Sequence, residues 1–325
     1  MTHASLAAPP PVPPPASRRK ISVLHRLALM AAAGFCLLAL AGPYLAGHPP
    51  TQINPPMRFK APSPAYPLGN DHLGRCLFSR LVTGARSSVG IGLMVVVASL
   101  IPGVLMGLVA GYLGGVVDNL LMRVTDIFLT IPEVLAAMTL AGLLGPSTAN
   151  LIIALGMVGW MRYARVIRGQ VLSLRERQYV KAARLCGLSS PAIFCWHILP
   201  GCLSSVTVLA TVGLSKSILA VSGLGFLGFG VQPPDPEWGT LLMEGKGYLL
   251  VAPHLSLFPG LVVMAAVLAF NLSGDALAHW WRSAELILRP ATPRENPRPE
   301  ARPPARCQRG RRQSPSPRRY PGSDR

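Results

Sequence analysis

Half of the 325 residues are apolar and only 14% are charged, against about 25% charged in an ordinary soluble domain, which sets that class aside. The formal charge of +18 suggests a nucleic-acid surface, but from Arg289 to Arg325 eleven Arg stand against three acids in a Pro-rich tail. With few apolar residues to order it, that tail reads as a solvated cytoplasmic extension drawn to anionic lipid headgroups rather than to nucleic acid.

In chain order, residues 1–20 are a Pro-rich stretch ending in Arg18-Arg19-Lys20. The apolar run Leu24–Ala46 that follows is longer than the roughly 7–15 residues of a signal-peptide core, so it is expected to be retained as a first membrane helix. Further runs cover Ser88–Tyr112, Ile127–Leu144, Ala149–Trp160, Leu203–Leu227 and Leu255–Leu272. A crossing takes roughly 20 apolar residues, and the fourth run reaches that length only if it continues to Ile167 with Arg162 and Arg165 extending to the interface. The expected architecture is an all-α polytopic membrane protein of about six transmembrane helices. Seven Lys and Arg cluster between Arg162 and Arg184, and the segments after the third and fifth runs hold none and Lys246 alone. That distribution puts both termini in the cytoplasm, although five basic residues between Gly47 and Arg86 weaken the asymmetry.

Within the spans, Ser99, Gly103, Gly107 and Gly111 recur every four residues, as do Ala137, Ala141 and Gly145. Small residues at that spacing flatten a helix face so that another backbone can approach closely. Pro102 and Pro132 are expected to kink their helices. Ionisable residues at membrane depth are candidates for the solute path. Asp126 is expected to serve as a structural partner of a nearby base such as Arg123. Glu133, further in, is a cavity candidate. Lys216, thirteen residues into the fifth run, is expected to face the pore or a subunit interface. Cys36, Cys76, Cys186, Cys195, Cys202 and Cys307 are scattered without a C-x-x-C pair and read as small hydrophobes, with no metal site and no bound cofactor.

Between the fourth and fifth runs lies a polar insertion from Arg162 to about Gly201, long enough to carry a function of its own. Its first part lacks helix breakers and ends at Gly187, placed as a helix C-cap. Ser190 then offers an N-cap and Pro191 a first helical position, and Pro200 is expected to close the second helix. Two short helices joined by a Gly turn result, with Ala182 and Ala183 removing bulk where a partner surface would approach.

At these residues the chain resembles the permease family of ATP-binding-cassette importers, whose coupling motif runs Glu-Ala-Ala, then Gly four residues on, then an apolar-x-Leu-Pro close. Ala182, Ala183, Gly187, Leu199 and Pro200 occupy the matching positions; Lys181 stands at the Glu position and His197 at an aliphatic one. The stretches PLGNDHLGRCLFSRLVTGAR from Pro67, VDNLLMRVTDIFLTIP from Val117, LGFLGFGVQPPDPEWG from Leu224 and FNLSGDAL from Phe270 narrow the likeness to the C-type subunit of the dipeptide, oligopeptide and nickel group. It covers about residues 20–285. The resemblance implies the type I importer permease fold in a bacterial inner membrane. The domain would span 21–285, with coupling helices at about 170–200, between tails at 1–20 and 286–325. It also implies a second, paralogous permease, two ATPases that hold ATP and Mg, and an extracytoplasmic solute-binding protein. This chain would be a non-catalytic subunit, in keeping with its lack of a G-x-x-x-x-G-K-[ST] phosphate loop. Peptides, nickel chelates and glycosides are all compatible solutes. An ATP-independent secondary transporter, the competing class, would be expected to show two related halves, and no repeat is found.

Overall fold

In the computed structural model, residues 23–288 are described, with side chains as far as Trp281. The expected tails at 1–20 and from Arg289 onward, with Arg18, Arg19, Lys20 and Cys307, lie outside the described residues. Residues up to Ala284 make one compact unit; of a second, Glu285–Arg325, only the end of the last helix is described.

Among the described residues ten α-helices follow one another: α1 Val23–Leu45, α2 Leu77–Leu113, α3 Gly115–Leu129, α4 Glu133–Leu144, α5 Thr148–Arg175, α6 Gln178–Leu185, α7 Ser190–Ile193, α8 Leu199–Phe226, α9 Trp238–Gly245 and α10 His254–Leu288. No strand occurs among these residues, only an isolated bridge between Asn70 and Cys76. Four helical stretches are long and apolar enough to cross a membrane, and α3 with α4 makes a fifth if the pair is one broken span. The second half of α5 carries Arg162, Arg165, Arg168 and Arg175, which keeps it below that apolar standard although it continues unbroken for 28 residues.

The outer faces are apolar and the inner faces are small or polar. Leu37, Leu40, Met94, Ile101, Leu105, Leu261, Met264 and Leu268 are exposed, while Ser79, Arg80, Ser88, Ser99, Ser215, Ser222 and Glu237 are buried. A chain solvated by hydrocarbon has no hydrophobic drive between its helices and associates through close packing and internal hydrogen bonds, which gives this inversion.

α2 is the central element, packing on α1, α8 and most extensively α5. The reason is the small-residue stripe. A Cβ on Gly103 would lie 2.5 Å from the Trp160 carbonyl oxygen, one on Gly107 2.5 Å from that of Ala164, and one on Gly111 2.8 Å from Val171 Cβ. Ala137 and Ala141 are buried in the same way, in an apolar cluster with Leu151 and Leu155 of α5 and Val221 and Leu224 of α8 for Ala137.

Two expected spans differ in form. The third, Ile127–Leu144, is broken: α3 and α4 meet at 82°, because Pro132 removes an N–H and clashes with the preceding turn, so α4 starts afresh with Pro132 as its N-cap. Pro102, by contrast, lies inside an α2 that runs on through it. The second helix of the insertion does not close at Pro200. Ser190–Phe226 is one continuous helical stretch of 37 residues, with a π turn at Phe194–Ile198 in which the Leu199 N–H reaches back five residues to Phe194 O. Pro200, at the start of α8, then has no N–H to place.

Candidate functional site

At one end of α2 the polar insertion folds into a turn packed onto the bundle. α6 buries only Val180 and Ala183. These join Leu108 of α2, Ile167, Val171 and Leu174 of α5, and Ile193, Ile198 and Cys202 in one apolar cluster. α6 ends in a Schellman motif: the Gly187 N–H donates to Arg184 O at 3.0 Å and the Leu188 N–H to Ala183 O at 3.2 Å. Gly187 has φ +80° with nothing within 4 Å of where a Cβ would stand, so backbone conformation and not space requires glycine there. The helix cap that follows is Ser189, one residue before the expected Ser190.

Two side chains fasten this turn to α2. Arg175 Nη1 donates to the carbonyls of Gly111 at 2.8 Å and Tyr112 at 3.2 Å, satisfying the open carboxyl end of α2. The Tyr112 hydroxyl donates to Ser190 O, and its ring lies 4.8 Å from that of Phe194.

The motif residues therefore divide. Ala183 is buried and is small because of the interior, whereas Lys181, Ala182, Gly187, Leu199 and Pro200 face outward. Lys181 Nζ lies 2.9 Å from Glu176 Oε2 within the same chain, and it holds the Glu176 carboxyl below its usual range by hydrogen bond and charge. Beside these, Leu185 and Trp196 are 89% and 78% exposed, and Leu188 and Tyr179 are exposed as well. Exposed apolar side chains on a segment this polar make it a candidate docking surface.

Glu133 and Lys216 also come together, lining one small cavity with Ser99, Arg162, Tyr163 and Ser217. Glu133 is ion-paired with Arg162. Asp126 does have a structural partner, but it is Arg165 of α5 and not Arg123. Arg168 completes the series on Asp118, with Nε–Oδ1 2.5 Å and Nη2–Oδ2 2.7 Å. Three arginines spaced by three along α5 thus pair, in reverse chain order, with three acids that flank the break between α3 and α4.

A buried ion network at the other end of α2 escapes sequence reasoning altogether. Asp71 Oδ2 accepts from Arg75 Nε at 2.6 Å and Arg80 Nη1 at 2.7 Å, and Glu244 Oε2 accepts from Arg75 Nη2 at 2.8 Å and Arg80 Nη1 at 2.5 Å. Two guanidiniums balance two carboxylates, so although His72 completes a cluster of metal-ligand type, the charge is compensated without an ion. Alongside, Ser88 Oγ donates to Glu237 Oε1 at 2.8 Å and accepts from the Trp238 N–H, and the Trp238 indole donates to Leu81 O. The last of these bonds joins the stretch from Pro67 to the stretch from Leu224 across 157 residues, and the other two tie Ser88, just beyond the first stretch, to the second.

Residues 103–283 match the family described as binding-protein-dependent transport system inner membrane component. The chain belongs to that family. The permease is 39% identical over 258 residues to the dipeptide transport system permease protein DppC of Alkalihalophilus pseudofirmus, covering 79% of this chain and 85% of that one. It is 41% identical over 249 residues to the di/tripeptide transport system permease protein DppC of Pseudomonas aeruginosa, with 75% and 82% covered. Against the nickel transport system permease protein NikC of Escherichia coli it is 39% identical over 252 residues, with 78% and 91% covered. The permease is accordingly a multi-pass protein of the bacterial inner membrane with the fold of an importer permease subunit. Its described thiols, Cys36, Cys76, Cys186, Cys195 and Cys202, are all free.

Proposed function

We propose that this permease is the C-type membrane subunit of an ATP-driven importer of short peptides, sharing its pore with a second, paralogous permease. An extracytoplasmic binding protein delivers solute on one side and two ATPases, which hold and hydrolyse ATP with Mg, drive the cycle on the other. Both termini are then cytoplasmic, as is the α6–α7 turn. Lys181, Ala182, Gly187, Leu199 and Pro200 shape the surface that meets an ATPase, with the buried Ala183 seating α6 on the bundle beneath them, and Glu133 and Lys216 line the solute path.

The observation that carries this reading is the unbroken rod from Ser190 to Phe226. A turn fastened to α2 and α5 and continuous with α8 transmits a displacement of its outer face directly into the spans, with no flexible joint to absorb it. Peptides are favoured as solute by the two DppC relatives, and nickel chelates remain the second reading through NikC. The test is uptake into proteoliposomes holding the complete complex, given its own binding protein and a panel of di- and tripeptides and nickel chelates. ATP-dependent uptake of peptides is expected; accumulation of the chelates alone would transfer the assignment to nickel, and uptake unaffected by ATP would refute both.

A further inference from the structure

The cavity that gathers Glu133 and Lys216 has a specific imbalance of charge. Its ionisable lining comprises one acid, Glu133, and two cations, Arg162 and Lys216, with the phenol of Tyr163 beside them. Glu133 is committed to Arg162. Lys216 has no ion-pair or hydrogen-bond partner among the described residues, and its side chain is exposed on α8 next to the buried Ser215, Ser217 and Ile218. It lies seventeen residues along α8, about 25 Å from the helix start. An unpaired ammonium so far along an apolar span is costly to keep and marks a path residue.

Tyr163 supplies a second, independent sign. It is 9% exposed and lines the cavity, yet its hydroxyl donates to no group among the described residues. A Cβ on Gly213 would lie 2.2 Å from that hydroxyl oxygen, so glycine at 213 is what admits the phenol to this position. Ser99 Oγ, on the same wall, spends its proton on Val95 O at 2.8 Å and is left an acceptor. Two donors that bond no group among the described residues, one of them cationic, therefore line a space of about 40 Å³. That volume admits a single functional group such as a carboxylate, and is far below the roughly 300 Å³ at which sites for whole small molecules begin.

We propose that Lys216 and Tyr163 form a carboxylate-binding station on the solute path, which takes the free carboxylate of a passing peptide or chelate while the rest of the solute stays in the shared pore. The station rests on the reading of this chain as a pore-lining permease. Arg162, neutralised by Glu133, sets the edge of the station, and the charge of Lys216 selects for anionic groups. Binding is expected to be weak, as a site that must also release its occupant requires.

The experiment uses the complete complex in proteoliposomes, with a dipeptide and its carboxyl-terminal amide loaded on the binding protein to equal occupancy. Lys216→Gln should lower ATP-dependent uptake of the free dipeptide by about tenfold, the worth of one charge-assisted hydrogen bond, and leave uptake of the amide unchanged. Lys216→Arg should retain uptake of the free dipeptide, and Tyr163→Phe should lower it by a smaller factor. If Lys216→Gln reduces both solutes equally, or neither, the station is refuted. A wild-type complex that takes up neither solute with ATP would instead sink the peptide-importer reading beneath it.

Discussion

Gly187 and His72 show how a single residue can be required for reasons that its neighbours do not display. At φ +80°, any side chain at 187 costs about 1–2 kcal/mol of left-handed strain, and no neighbouring atom lies close enough to a Cβ there to offset it. Gly187→Val is expected to unsettle the Schellman turn and to lower the amount of ATPase that co-purifies, without loss of the second permease; ATPase retention at the wild-type level would contradict that role. His72 lies near Asp71 and Glu244 with its ring stacked on Tyr248 at 5.4 Å. Burial pushes its pKa below the ordinary value, more strongly than those two carboxylates raise it. A folded pKa below the unfolded one, roughly 6.5, means the unfolded chain binds more protons across that interval. Stability is therefore full above about pH 6.5 and falls as the pH drops from there toward the folded pKa. Thermal unfolding of the purified protein should show this loss setting in as the pH falls through about 6.5, and His72→Gln should flatten the slope. Asp71 is held low instead, by Arg75 and Arg80 and by two backbone N–H donors, although burial opposes them. Its contribution persists above about pH 4 and is lost only as the pH falls below that toward its folded pKa.

Elements were legible where a local pattern carried the information. The stripe Ser99, Gly103, Gly107 and Gly111 shows its spacing in the sequence, and its packing on α5 follows from that spacing. The break between α3 and α4 is hidden because the apolar run continues through it; only Pro132 marks the place, and proline alone does not separate a kink from an 82° bend. Pro200 misleads in the opposite direction, since a π turn carries the helix past it. The network of Asp71, Arg75, Arg80 and Glu244 joins residues up to 169 positions apart, beyond any periodicity, and its one local sign is an arginine in the first turn of an apolar helix. The three acid–arginine pairs between α3–α4 and α5 have a visible arginine spacing but no visible partner order. Their firmest rung is Asp118 with Arg168, bidentate and largely shielded. Asp118→Asn is expected to cost about 1–3 kcal/mol, seen as a lower thermal midpoint in detergent. Arg168→Lys should be destabilised too, because an ammonium does not reproduce the paired N–H fork.

For the whole molecule, inverted packing and the ends of α2 define a simple machine. At about 55 Å, the 37 residues of α2 carry a buried ion network at one end and the α6–α7 turn at the other. Membrane location was readable from apolar run length alone, and the family from four motif blocks. Glu133 and Lys216 were readable only as isolated charges until the fold placed them on one cavity. The central claim is that the α6–α7 turn is where the permease meets an ATPase, and Cys186, exposed at the end of α6, allows it to be probed directly. In a complex whose Cys36, Cys195 and Cys307 are replaced by Ser, a photoactivatable thiol reagent on Cys186 should cross-link to an ATPase subunit, and Leu185→Glu should abolish the adduct. Cross-links from Cys186 to the binding protein or to lipid, with none to an ATPase, would contradict the account.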